Sequence, residues 1–226
     1  MRRREFLGVL GGAAAWPFAA RAQQAALPVV GFIRSASLAD ATHLVTAFRQ
    51  GLKEAGFVEG QNVAIEYRYA DNQIERLPVL VAELIRRPVA VIVGNNIATP
   101  VAKAATSTIP IVFVSGGDPV MDGHVASLNR PGGNVTGVVF ISGVLGPKRL
   151  ELLRQLVPKA TKIGLLVNPI NPNTEAERRD VQAAAQALGQ QLITLDVSSK
   201  SEIEPAFATF VQRGAGALLV GTGPLF

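Results

Sequence analysis

Polar side chains follow directly on apolar runs at six places in this chain. They are Ser35; Asn95, Asn96, Ala98 and Thr99; Ser115, Gly116, Asp118 and Pro119; Ser142; Asn168; and Thr222. Their serine, threonine, asparagine and aspartate side chains hold small solutes by hydrogen bonds, with Ala98, Gly116 and Pro119 shaping the same segments, and none of them does covalent chemistry on its own. Asn95 to Thr99 opens a short helical segment, and a helix start offers unpaired N–H groups to a carboxylate. Asn96 could equally cap that helix. In Ser115 to Pro119 two glycines bare the backbone beside an acid, so Asp118 either pairs with a ligand amine or holds its own turn. Ser35 or Ser37 either meets a ligand or starts the next helix, and Asn168 stands in a turn-forming Asn-Pro stretch. Arg34 is a carboxylate fork or a solvated charge.

Groups that would support catalysis are sparse. The histidines, His43 and His124, are far apart and outside any metal-ligand spacing. There is no phosphate-binding G-x-x-x-x-G-K-[ST] loop, and no G-x-G-x-x-G follows the first apolar run. Ser115 lacks the preceding glycine of a nucleophile elbow. The expectation is a protein without catalytic residues, cofactor or metal.

The elements that must position these residues alternate. Apolar or alternating runs at 28–33, 62–69, 89–93, 111–114, 135–141, 163–167, 191–195 and 217–220 read as strands. Between most of them lie stretches with helical spacing. Leu44, Phe48 and Leu52 recur in 40–55, and Leu77, Leu80, Val81, Leu84 and Ile85 form a stripe. Further helices are predicted over 97–106, 148–157, 173–188 and 201–213, the last with Ser201 as N-cap. Glu175, Glu177, Arg178, Arg179 and Asp180 read as a solvated face. The alternation predicts α/β architecture with parallel sheets in two doubly wound lobes. The turn-rich Asn129–Asn134 stretch divides them, giving lobes over 27–134 and 135–226. Ligands of such sheets bind beyond the carboxyl ends of the strands.

Residues 1–22 read as an export signal. Arg2, Arg3 and Arg4 precede an apolar run from Gly8 to Ala20, and Ala20-Arg21-Ala22 forms a cleavage site after Ala22. The run is shorter than the roughly 20 residues a spanning helix needs. Arg3-Arg4-Glu5-Phe6-Leu7 fits a twin-arginine motif, which predicts a periplasmic protein. The signal also carries three of the five net positive charges. The remainder is too weakly basic to predict a nucleic-acid or membrane partner. Absence of cysteine excludes a disulfide framework and a lipid-bearing cysteine.

Four segments carry a family resemblance: FRQGLKEAGFVEGQNV over 48–63, IPIVFVSGGDPV over 109–120, NRPGGNVTG over 129–137 and KRLELL over 148–153. Together they resemble the ABC-transporter substrate-binding proteins with a type I periplasmic-binding fold, some of which bind aromatic amino acids. The resemblance implies a monomer that captures a small polar solute, an amino acid or related carboxylate, by hinge closure and delivers it to ABC permease subunits in the inner membrane. It also implies about another hundred residues beyond Phe226, so the second lobe is expected to be incomplete. A periplasmic sensor and an exported hydrolase are the alternative readings.

Overall fold

The computed structural model describes residues 27–140, 142–223 and 225–226; the expected export signal lies outside them. The first strand, β1 (Val29–Arg34), is apolar until its last residue. Ser37 then accepts a hydrogen bond from the Asp40 N–H and starts helix α1 (Leu38–Glu54). Ala41 and Val45 form the buried face of α1, whereas Leu44 is exposed. The helix ends at Ala55, and Gly56 follows at φ 87°, a left-handed stop that glycine adopts without strain.

Strand β2 (Ala64–Tyr69), helix α2 (Leu77–Ile85), strand β3 (Val89–Asn95), helix α3 (Ala98–Ala105) and strands β4 (Ile111–Ser115) and β5 (Val135–Val139) complete a five-stranded parallel sheet in the order β2-β1-β3-β4-β5. Alternate residues of β1 face opposite layers. Ile33 joins Leu84, Ile92, Ile111 and Phe113 under α2 and α3, while Phe32 packs with Ala41 and Val45 of α1.

The second lobe contains helix α4 (Gly146–Leu156), strand β6 (Lys162–Val167), helix α5 (Thr174–Ala187), strand β7 (Gln191–Asp196), helix α6 (Ile203–Gln212) and strand β8 (Ala217–Val220). Its parallel sheet has the order β7-β6-β8. Ile163 and Leu165 pack with Leu150 and Val181 on one face, and Leu166 packs with Phe210 on the other. The predicted α/β architecture is therefore present, with five strands in one sheet and three in the other among the described residues.

Three local expectations change. Val135–Val139 belongs to the first sheet, not the second lobe: Ile111 through Ser115 pair in register with Val135 through Val139. The Asn134 amide fixes the turn before them by donating to the carbonyls of Thr106 and Ile109 (3.0 and 2.7 Å). Glu177 is buried rather than solvated, because helix α5 turns it toward β8. Ser201 does not cap α6. A short 3-10 turn, Lys200–Glu202, precedes that helix, and the hydroxyls of Ser198 and Ser199 bond the Glu202 carboxylate. Among the described residues no helix is long and apolar enough to cross a membrane.

Candidate functional site

In each sheet the chain reverses direction of winding beside its first strand. In the first sheet that point lies between β1 and β3, where a doubly wound fold opens a crevice. Arg34 ends β1 there, and Asn95 ends β3. The Asn95 side chain stitches the two strands together. It donates to the Ser35 hydroxyl (2.8 Å) and accepts from the Ser35 and Ala98 N–H groups. The Asn95 side chain, not that of Asn96, therefore takes up the first N–H of α3, two residues ahead of the N-cap position at Ile97. Asn96 is freed to reach the other lobe, where its amide donates to Asn171 Oδ1 at 3.0 Å.

The second sheet supplies the opposite wall from the segment after β6 and from Thr222 after β8. Asn171 donates to the Thr222 carbonyl at 2.6 Å, joining both segments. Beneath them the Glu177 carboxylate accepts from the Thr222 N–H and hydroxyl (2.9 and 3.0 Å). Arg149 stands 3.7 Å from the other Glu177 oxygen and donates to the Val220 carbonyl at 2.6 Å. A buried carboxylate thus fixes the end of β8 through backbone contacts, with a cation beside it.

Between the walls is a cavity of about 350 Å³. Of the residues singled out in the sequence, Asn95, Asn96, Gly116, Ser142 and Thr222 line it, as does Arg34. Ser35 and Asn168 face a much smaller recess. Ala98 and Thr99 are fully buried, and the Thr99 hydroxyl turns back to the Asn95 carbonyl (2.8 Å). Ser115 accepts from the Gly117 N–H, and Asp118 accepts from Val120 and Met121, so both hold their own loop. Pro119 is buried in that loop and does not line the cavity.

The cavity also takes residues that the sequence reading did not select. Asp40, His43 and Leu44 come from the first turns of α1, and Phe140 follows β5. Asn171, Asn173, Gly223 and Phe226 come from the second lobe. Spacing could have found the first group: 40, 43 and 44 share a helix face directly after a strand end. The Asn-rich turn over 168–173 was visible, but nothing in it distinguishes Asn171 from Asn168.

Three charges in or beside the cavity are shifted. Burial lowers the Arg34 pKa, an effect partly offset by the nearby Tyr69 hydroxyl. Hydrogen bonds from Lys200 and then Ser37 hold the Asp40 carboxyl below the usual range. The Lys200–Asp40 pair spans the lobes. Burial and then the Asp118 charge push Asp122 up, against a bond from Ser115. Asp122 accepts from the Asn173 amide at 2.6 Å in the orientation that satisfies both groups. Among the described residues no cluster of His, Cys, Asp and Glu could hold a metal ion.

Comparison with known proteins agrees with this geometry. The model of the ABC transporter substrate binding protein family matches residues 28–221, and the chain belongs to that family. A tyrosine-binding protein of Clostridioides difficile is 30% identical over 169 residues, covering 74% of this chain and 48% of the relative. The chain thus spans about half the length of that curated relative. A Streptococcus pneumonia ABC domain in complex with L-Trp superposes with a TM-score of 0.77 at 23% identity, over 88% of this chain and 67% of its own. A conserved domain protein of Vibrio cholerae gives 0.77 at 23% identity, over 85% and 64%. The leucine-binding protein of Thermotoga maritima shares the fold at a TM-score of 0.62 and 14% identity, over 86% and 56%. The fold is the type I periplasmic-binding fold, and the family is a substrate-binding one.

Proposed function

We propose that the chain is the periplasmic solute receptor of an ABC importer, taking an amino acid or related carboxylate between its lobes and presenting it to permease subunits. The observation that carries the reading is the cavity of about 350 Å³. It lies where ligands bind in doubly wound sheets and is within the size range of small-molecule sites. Its two walls come from different lobes, so closing the lobes encloses a ligand. The tyrosine-binding relative and the L-Trp complex support an amino-acid-sized occupant. Export through the twin-arginine route fits the residues before Leu27.

Closure has a steric signature. A side chain on Gly117 would overlap the Asn173 amide of the facing lobe. Thermal unfolding of the full chain against amino acids and small carboxylates is expected to show a raised midpoint for its ligand, since binding to the folded state alone stabilises it. Gly117 is buried and the overlap is present without a ligand, so Gly117→Ala is expected to push the lobes apart, to lower the unliganded midpoint by an overpacking cost of about 1–3 kcal/mol, and to lose most of the ligand-induced rise. A folded chain that no compound in the panel stabilises would overturn the reading.

A further inference from the structure

Arg34 carries a charge with no partner. Its Nε is buried without a hydrogen bond, and among the described residues no carboxylate pairs with it. Burying a cation unpaired is costly, so such a group is matched by an anion from elsewhere. Arg34 lies at the winding reversal of the first sheet and lines the cavity, where the anion would be solvent-delivered. A guanidinium presents its donors as a planar fork that fits a carboxylate.

The counterpart for an ammonium group is missing from the same wall. Asp40 is the acidic residue among the described lining residues. One of its oxygens takes the Lys200 ammonium and the other the Ser37 hydroxyl. The lining also carries apolar surface: Leu44, Val114, Phe140 and Phe226 each leave more than a third of their surface uncovered, beside the amides of both lobes. A cationic fork, an acid whose two oxygens are already engaged and exposed apolar lining favour an anion with an apolar body.

Resting on the proposed solute-binding role, we infer that Arg34 anchors the ligand carboxylate and that the preferred ligand is an aromatic or aliphatic monocarboxylate without an α-ammonium group. Ammonium desolvation then penalises the amino acid of the same shape.

Three probes of one shape separate the possibilities: 3-phenylpropionate, L-phenylalanine and phenethylamine, titrated calorimetrically into the full chain. The expected order is 3-phenylpropionate tighter than L-phenylalanine, with phenethylamine not bound. Arg34→Gln is expected to weaken 3-phenylpropionate by at least about tenfold, the loss of one charge-assisted hydrogen bond. Arg34→Lys, which keeps the charge and loses the fork, should fall between the two. If L-phenylalanine binds more tightly than 3-phenylpropionate, the exclusion of ammonium is overturned while the solute-binding role stands. If Arg34→Gln binds the acid as tightly as the parent, the anchor is overturned and the role again stands. Should both variants fail to fold by circular dichroism, the ranking of acid over amine in the parent chain still decides, and equal affinity overturns the anchor. A parent chain that binds none of the three while other carboxylates raise its melting midpoint overturns the apolar-body selection alone.

Discussion

The two walls of the cleft are built differently. The first lobe presents ionisable groups, Arg34, Asp40 and His43, at and just beyond the carboxyl end of the first strand of a five-stranded sheet. The second presents amides and backbone, Asn171, Asn173, Thr222 and Gly223, at the end of a three-stranded one. On the first wall the charge faces the cavity; on the second it is held beneath the surface as Glu177 and Arg149. The difference teaches a division of labour. One lobe turns ionisable groups to the cavity, and the other lines it with uncharged groups whose positions are fixed from behind.

The largest effects test whether the lobes are independent. Ile92→Ala and Leu165→Ala each remove a fully buried side chain from a separate cluster. Each is expected to cost about 2–5 kcal/mol. In urea unfolding followed by circular dichroism, Leu165→Ala should move an early transition that Ile92→Ala leaves in place. Equal shifts of one transition would show that the unequal lobes unfold together.

Next in size is the hidden support of the second wall. Glu177→Ala removes the acceptor of two Thr222 bonds and leaves Arg149 beside an empty site. The expected loss is about 1.5–3 kcal/mol by denaturant unfolding, the range for hydrogen bonds to a charged group. Glu177→Gln, which keeps an acceptor oxygen, should lose less. An unchanged midpoint for Glu177→Ala would remove the contrast between the walls.

The contact joining the walls comes third. A double-mutant cycle on Asn96→Ala and Asn171→Ala should return a coupling of about 0.5–1.5 kcal/mol in unfolding free energy, as expected for one hydrogen bond between neighbouring groups. A coupling near zero would mean that the two lobes meet without holding each other there.

Smallest is the rim. Lys200→Ala should cost at most about 1 kcal/mol, because the Lys200 side chain is mostly exposed and an exposed pair is weak and screened by salt. The Asp40 pKa is lowered in the folded chain. The pair's stabilisation is therefore present above the ordinary aspartate pKa of about 3.9 and is lost as pH falls through the lower folded value. Midpoints of the parent and Lys200→Ala should converge as the solution is acidified.

The fold was largely legible in the sequence, because its signals are local. The stripe from Leu77 to Ile85 and the all-apolar run at Val89 stand at the spacings of a half-buried helix and a doubly covered strand. The lobe boundary was less so: Val135–Val139 follows turn chemistry, and only its pairing with β4 assigns it to the first sheet. The cleft was half legible. Strand ends predict where Asn95 and Thr222 go, but not which side chains turn outward. Thr99 and Ser115 turn back onto neighbouring backbone. Asn96 and Asn171 meet across 75 positions of sequence, a contact that no local pattern encodes. The burial of Glu177 is not legible in the sequence, because helical charge patterns look alike whether a residue faces solvent or a strand end.

The asparagine wall also bears on how the protein ages. Deamidation proceeds when the following backbone nitrogen attacks the side-chain amide and closes a succinimide ring. Asn168 and Asn171 are each followed by proline, Pro169 and Pro172, whose nitrogen carries no hydrogen. That ring cannot close there, so the amide that joins the second lobe to Asn96 and Thr222 is chemically durable by virtue of its neighbour in the chain.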